Sequence, residues 1–157
     1  MKFAAICALA LIAAPLAAQP TAPGNFATPA DVQALVERIG AGMKPGQIFA
    51  MAPLVGADSS VASVEYWKGP GRPAIHPTDA EYAIVVAGAG TLVMGGTMTE
   101  PEVTNPGLTQ GGKIEGGTSR PLAPGDIIMI PAGVPHWFGV SGGKLALLGL
   151  KLPQPKS

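Results

Sequence analysis

The stretch GDIIMIPAGVPHWFGV, residues 125–140, joins a β-like apolar run to a turn bounded by proline and glycine, then to a second β-like run that opens on a histidine. That residue, His136, is one of only two histidines in the chain. The other, His76, lies sixty residues upstream in AIHPTDAEYAIVVAGAG, residues 74–90, with Glu81 five residues further on and a β-like run behind it. A histidine on a strand is either one edge of a metal site or a satisfied core residue. Whether these two segments meet in space therefore decides most of the reading.

Outward from them the chain is punctuated into short apolar runs. QIFAMAPLV and SVASVEYWKG are separated by the turn-rich GADSS, and AEYAIVVAGAGTLVMGG is expected to carry a strand, a Gly-Ala-Gly turn and a second strand. DIIMIPAG, HWFGV and KLALLGLKL complete the set. Between them, residues 97–123 form a polar, turn-rich connection, expected as a long loop over one end of the fold; connections of that length are commonly functional. The 22 glycines and 17 prolines mark frequent turns, and 47% of the residues are hydrophobic, so the chain has apolar material for a core. Together these predict an all-β barrel or sandwich.

One segment departs from the β pattern. TPADVQALVERIGAG reads as a helix with Thr28 as N-cap, Pro29 at the first helical position, Asp31 in the first turn and Gly40 or Gly42 as the stop. Val32, Leu35, Val36 and Ile39 fall on one face of it.

The first eighteen residues, MKFAAICALALIAAPLAA, have the basic start, short apolar run and small-residue end of a secretory signal. The expected organisation is a signal peptide over 1–18, an extension and helix over 19–46, a β domain over 47–152 and a tail over 153–157. Cys7, the only cysteine, sits in the signal, so the processed chain has neither thiol nor disulfide. Removing Lys2 with the signal leaves nine basic and ten acidic residues, a net charge of −1. That balance offers no footprint for nucleic acid or anionic lipid, and no membrane association is expected after processing. The expected location is periplasmic or extracellular.

At the two histidine segments the chain resembles the cupin family. The second cupin motif is complete: Gly125, five residues, Pro131-Ala132-Gly133, two residues, His136. The first is matched by His76, four residues, Glu81, six residues and Gly88, but Ala74 stands where the family has its other histidine and Gly69 is one residue closer than usual. Val140 stands where an asparagine often ends the second motif. The resemblance implies a single jelly-roll β-barrel carrying one short N-terminal helix, with a metal site reduced to His76, Glu81 and His136. It allows a homodimer through a strand edge.

Two imidazoles and a carboxylate suit a divalent ion such as Mn, Fe, Co, Ni, Cu or Zn and leave coordination positions open. Strand alternation places Glu81, Ala83 and Val85 on one face and His136, Phe138 and Val140 on another, so Ala83, Val85 and Phe138, with the space at Ala74, are the candidate small-molecule pocket. Tyr82 and Trp137 should face away. Of Glu65 and Tyr66 only one should point inward. Arg72 and Lys68 read as loop charges and Asp79 as a turn residue. The resemblance admits two functions: a metal-dependent oxygenase, isomerase or lyase, or a metal-free cupin that binds a small molecule without catalysis. No GxSxG and no phosphate-cradling glycine loop before a helix is present.

Overall fold

The computed structural model describes residues 24–154; the expected signal peptide lies outside them. The first element among the described residues is helix α1 (Pro29–Gly42), where Thr28 and Asp31 form a reciprocal capping box and Pro29 opens the first turn. Eleven strands follow: β1 (Phe49–Ala57), β2 (Ser60–Trp67), β3 (Ala74–Ile75), β4 (Asp79–Met94), β5 (Thr97–Met98), β6 (Glu102–Asn105), β7 (Leu108–Gln110), β8 (Ile114–Glu115), β9 (Thr118–Leu122), β10 (Ile127–Ile130) and β11 (His136–Pro153). No helix among the described residues is long and apolar enough to cross a membrane.

Two long antiparallel strands organise the rest. β4 and β11 pair along their whole lengths, from Asp79 opposite Pro153 to Met94 opposite His136. β9 and β10 line up along the other edge of β4, while β2 and β3 flank β11. Nine strands thus form one jelly-roll sheet, and β5 and β8 make a separate pair. Hydrogen bonding leaves the barrel open, with β1 at one end of the main path and β6 at the other. Proline at position 53 is tolerated because β1 is an edge strand.

The strand-turn-strand expected over AEYAIVVAGAGTLVMGG is instead one continuous strand, and HWFGV and KLALLGLKL are likewise a single strand. The glycines there do not reverse the chain. Gly88 has φ 77°, and opposite it β11 accommodates residues 142–144 between the partners of Ala89 and Gly88, so both strands deform at one point and continue. A Cβ at Gly88 would run into the Lys144 carbonyl. The expected long loop is also largely strand: β6 and β7 make a hairpin beside β3, and β9 joins the main sheet.

Two cores share the sheet. On its inner face Ala83, Val85, Leu92, Leu122, Ile128, Ile130, Phe138, Leu145 and Leu147 are buried together. On its outer face Leu35, Val36 and Ile39 of α1 cover Val64, Tyr66 and Ala146. Burying each large aliphatic side chain of the helix stabilises the fold by about 1.5–3 kcal/mol. Because the helix covers one face and the barrel the other, β2 is buried on both sides: Tyr66 packs under the helix while Glu65 turns into the barrel. Lys68 donates from Nζ to the Gly40 carbonyl at the helix end, 3.2 Å away.

Candidate metal centre

His76 follows β3 directly, Glu81 lies near the start of β4, and His136 opens β11. The turn of the second motif is fastened to the first: the Gly133 N–H donates to the His76 carbonyl at 2.8 Å, and Gly95 N–H donates to the Pro135 carbonyl at 2.9 Å. The two segments therefore meet. One oxygen of Glu81, Oε2, lies 3.3 Å from His76 Nε2 and 3.2 Å from His136 Nε2, and the ligand-capable atoms of all three residues lie within 4.8 Å of one another. Glu81 and His136 are each only 3% exposed, while His76 is partly exposed and forms the open side of the cluster.

The hydrogen bonds of the two imidazoles show what this cluster can hold. His76 Nδ1 is 2.9 Å from the Gly107 carbonyl and His136 Nδ1 is 3.1 Å from the Val134 carbonyl. A carbonyl only accepts, so each Nδ1 carries the proton. In a neutral imidazole the Nε2 then presents a lone pair, and both lone pairs are aimed at an oxygen of a carboxylate. Three electron-rich atoms converging at this range repel unless protons or another cation lie among them, and a divalent ion can take the place of those protons. The donor set thus fits a divalent metal ion, and backbone carbonyls already orient both histidines for it.

A positively charged side chain reaches the same oxygen. Lys151, directly across from Glu81 on β11, places Nζ 2.6 Å from Glu81 Oε2. Burial alone would push the Glu81 carboxyl up, but in the metal-free site hydrogen bonds from His136 and His76, made when each Nε2 also carries a proton, and the Lys151 ammonium outweigh it and hold the group far below the usual carboxylate range. Glu65 behaves in the opposite sense. Its burial, then the neighbouring Glu81 charge, push its carboxyl up, against a smaller opposing effect of the Lys151 ammonium. Trp67 Nε1 beside it is buried without a hydrogen-bond partner.

Lys151 escaped the reading of the sequence. The signal was present in KLALLGLKL, where Leu145, Leu147, Gly149 and Lys151 alternate onto one face, so that a lysine follows two core leucines inward. The connection over residues 97–123 has a definite part in the site: Asn105 Oδ1 accepts from the Gly107 N–H at 2.9 Å, shaping the β6–β7 turn that offers its carbonyl to His76.

Of the expected pocket residues, Ala83, Val85 and Phe138 are buried members of the inner core, and the Phe138 ring meets the His136 ring edge-on at 5.9 Å. Ala74 pairs across β3 and β11 with His136. Trp137 faces away and donates Nε1–H to the Gly71 carbonyl at 2.8 Å, while Arg72 pairs at the surface with Glu102. Cavities of about 330 and 500 Å³ lie along Leu92, Met94 and Arg120, and one of about 380 Å³ lies beside Trp137; none is lined by the three clustered residues.

A protein-family model described as Cupin matches residues 40–155. No curated protein sequence matches the chain. Among solved structures, TT1209 from Thermus thermophilus is similar at 17% identity and TM-score 0.51, over 76% of this chain and 94% of that one. CapF, in complex with the inhibitor 3-isopropenyl-tropolone, is similar at 15% identity and TM-score 0.51 over 71% of this chain, which spans only 30% of CapF. FeII HppE is similar at 16% identity and TM-score 0.51, over 71% of this chain and 54% of that one. At these identities the likeness is one of fold.

Proposed function

The chain belongs to the cupin family, and from that premise we propose that it is a small exported cupin that binds one divalent metal ion through His76, Glu81 and His136 and holds a small polar molecule at the coordination positions they leave open. The observation that supports this reading is the fixed orientation of the imidazoles: with each Nδ1–H committed to a carbonyl, both Nε2 atoms face the Glu81 oxygen. Two neutral nitrogens and one carboxylate form an open set of the facial type.

A bound ion would supply Lewis-acid or oxygen-activating chemistry to an oxygen-bearing ligand, of the oxygenase, isomerase or lyase kind. The chain's own contributions are separate from that chemistry. The apolar floor of Ala83, Val85 and Phe138 excludes water behind the cluster, and the Gly107 and Val134 carbonyls keep the two imidazoles in the ligating tautomer. Access runs past the partly exposed His76.

A second reading, a metal-free cupin that binds a small molecule without catalysis, is favoured by one observation: the Lys151 ammonium already answers the charge of Glu81. Elemental analysis separates the two. Near-stoichiometric metal in the exported protein that disappears in a His136→Ala control supports the metal site. Metal-free protein in both, even after anaerobic reconstitution with excess divalent ions, sinks the metal reading and turns the search toward ligands of an apolar barrel.

A further inference from the structure

Glu81 Oε2 is addressed by three groups at once, and they do not ask the same thing of it. The histidine nitrogens, at 3.3 and 3.2 Å, offer lone pairs and need protons or another cation between themselves and the oxygen. Lys151, at 2.6 Å, is itself a cation bound to that oxygen. A metal ion bonded to an oxygen at about 2.2 Å and an ammonium 2.6 Å from the same oxygen lie no further apart than the two lengths combined. Like charges that close, behind a carboxylate only 3% exposed, repel with little screening.

We propose that Lys151 is a built-in competitor for the metal: its ammonium and a divalent ion bind Glu81 in alternation, so that this lysine sets the affinity of the site and metal loading releases it. The inference rests on the three-residue metal reading above.

The surroundings give the lysine somewhere to go. Its side chain is 39% exposed, so the head group is not sealed in place. Glu65, on the same inner face one strand away and opposite Leu147, lies close enough to feel the Lys151 charge and would be its alternative partner. Room for that carboxyl is left by Gly149, two residues before Lys151 on the same face; a Cβ there would come within 3.3 Å of Glu65 Oε1. The register that sets Lys151 opposite Glu81 and Leu147 opposite both Val85 and Glu65 places the two carboxyls on either side of the lysine strand. Displacement then moves the ammonium off Glu81 and toward the Glu65 side of its strand.

The test is a Co²⁺ titration of the purified protein, read by calorimetry and by the visible absorption of bound cobalt, on the wild type, Lys151→Met, Glu65→Gln and the double variant. Lys151→Met is expected to bind Co²⁺ at least tenfold more tightly. Glu65→Gln is expected to weaken binding severalfold in the wild-type background and to have no effect once Lys151 is gone, a non-additivity that a merely structural role would not produce. Thermal melts in chelator confirm folding, and Lys151→Met should start lower than the wild type yet gain more from Co²⁺; Lys151→Gln replaces it if the methionine variant does not fold. Unchanged or weaker Co²⁺ binding in the folded Lys151 variant would overturn the competition while leaving the metal site standing. Folded protein that binds no Co²⁺ with or without Lys151 would overturn the metal reading and this inference together.

Discussion

Ala74 and His136 are cross-strand partners, set opposite each other where β3 meets β11. Side chains in that relation leave one face of the sheet together, with Cβ atoms about 4.5–5.5 Å apart. An imidazole at position 74 would therefore stand beside His136 and its neighbours. Ala74→His is expected to add a fourth protein ligand and tighten divalent metal binding by about tenfold or more, an effect of the size seen when ligand spheres are altered. Isothermal titration against the wild type measures it; unaltered affinity would mean that residue 74 does not look into the site.

The β6–β7 turn orients His76 from a distance. Asn105→Ala removes the acceptor that shapes the turn at Gly107, and with it the firm placement of the carbonyl that holds His76 Nδ1. Metal affinity should fall by about 10-fold, the lower end for loss of an outer partner of a ligating histidine, with the melting temperature in chelator nearly unchanged. A variant that loses stability and affinity in parallel would instead mark Asn105 as a purely structural residue.

The two buried acidic residues of the inner face, Glu81 and Glu65, predict pH dependences of opposite sign. Glu81 is depressed, so it binds fewer protons folded than unfolded; its contribution is complete above the ordinary value of 4.5 and is lost as the pH falls below it. Glu65 is raised, so it binds more protons folded than unfolded; its contribution is complete below 4.5 and is lost as the pH rises toward its folded value. Denaturant titrations in chelator should show Glu65→Gln gaining on the wild type as the pH rises. Glu81→Gln should compare worst with the wild type near neutrality and close the gap in acid. Parallel pH curves for all three proteins would contradict both shifts.

Gly88 is the hinge point of the two long strands, with φ 77° and the Lys144 carbonyl where a side chain would begin. Gly88→Ala meets both backbone strain and a clash, mechanisms that together cost about 2–4 kcal/mol. Urea denaturation gives the number directly. A loss below about 0.5 kcal/mol, the range of an ordinary surface substitution, would show that the strands bend elsewhere.

What was legible in the sequence is what local spacing carries. The helix was marked by its cap and its stripe of Leu35, Val36 and Ile39, and the three clustered residues by motif intervals that hold whatever the rest of the chain does. The Gly-Ala-Gly segment misled because a glycine in a strand signals a bulge as readily as a turn, and only the pairing with β11 distinguishes them. Glu65 and Lys151 were visible as residues but not as neighbours of Glu81. Their meeting depends on the register of β2, β11 and β4, segments far apart in the chain, and a slip of one residue would turn each of them out of the barrel. The sequence by itself determined the kind of strands and the ligand-capable side chains, through period and spacing; the tertiary structure alone decided that a lysine shares their oxygen, because cross-strand register is settled by the fit of the whole sheet.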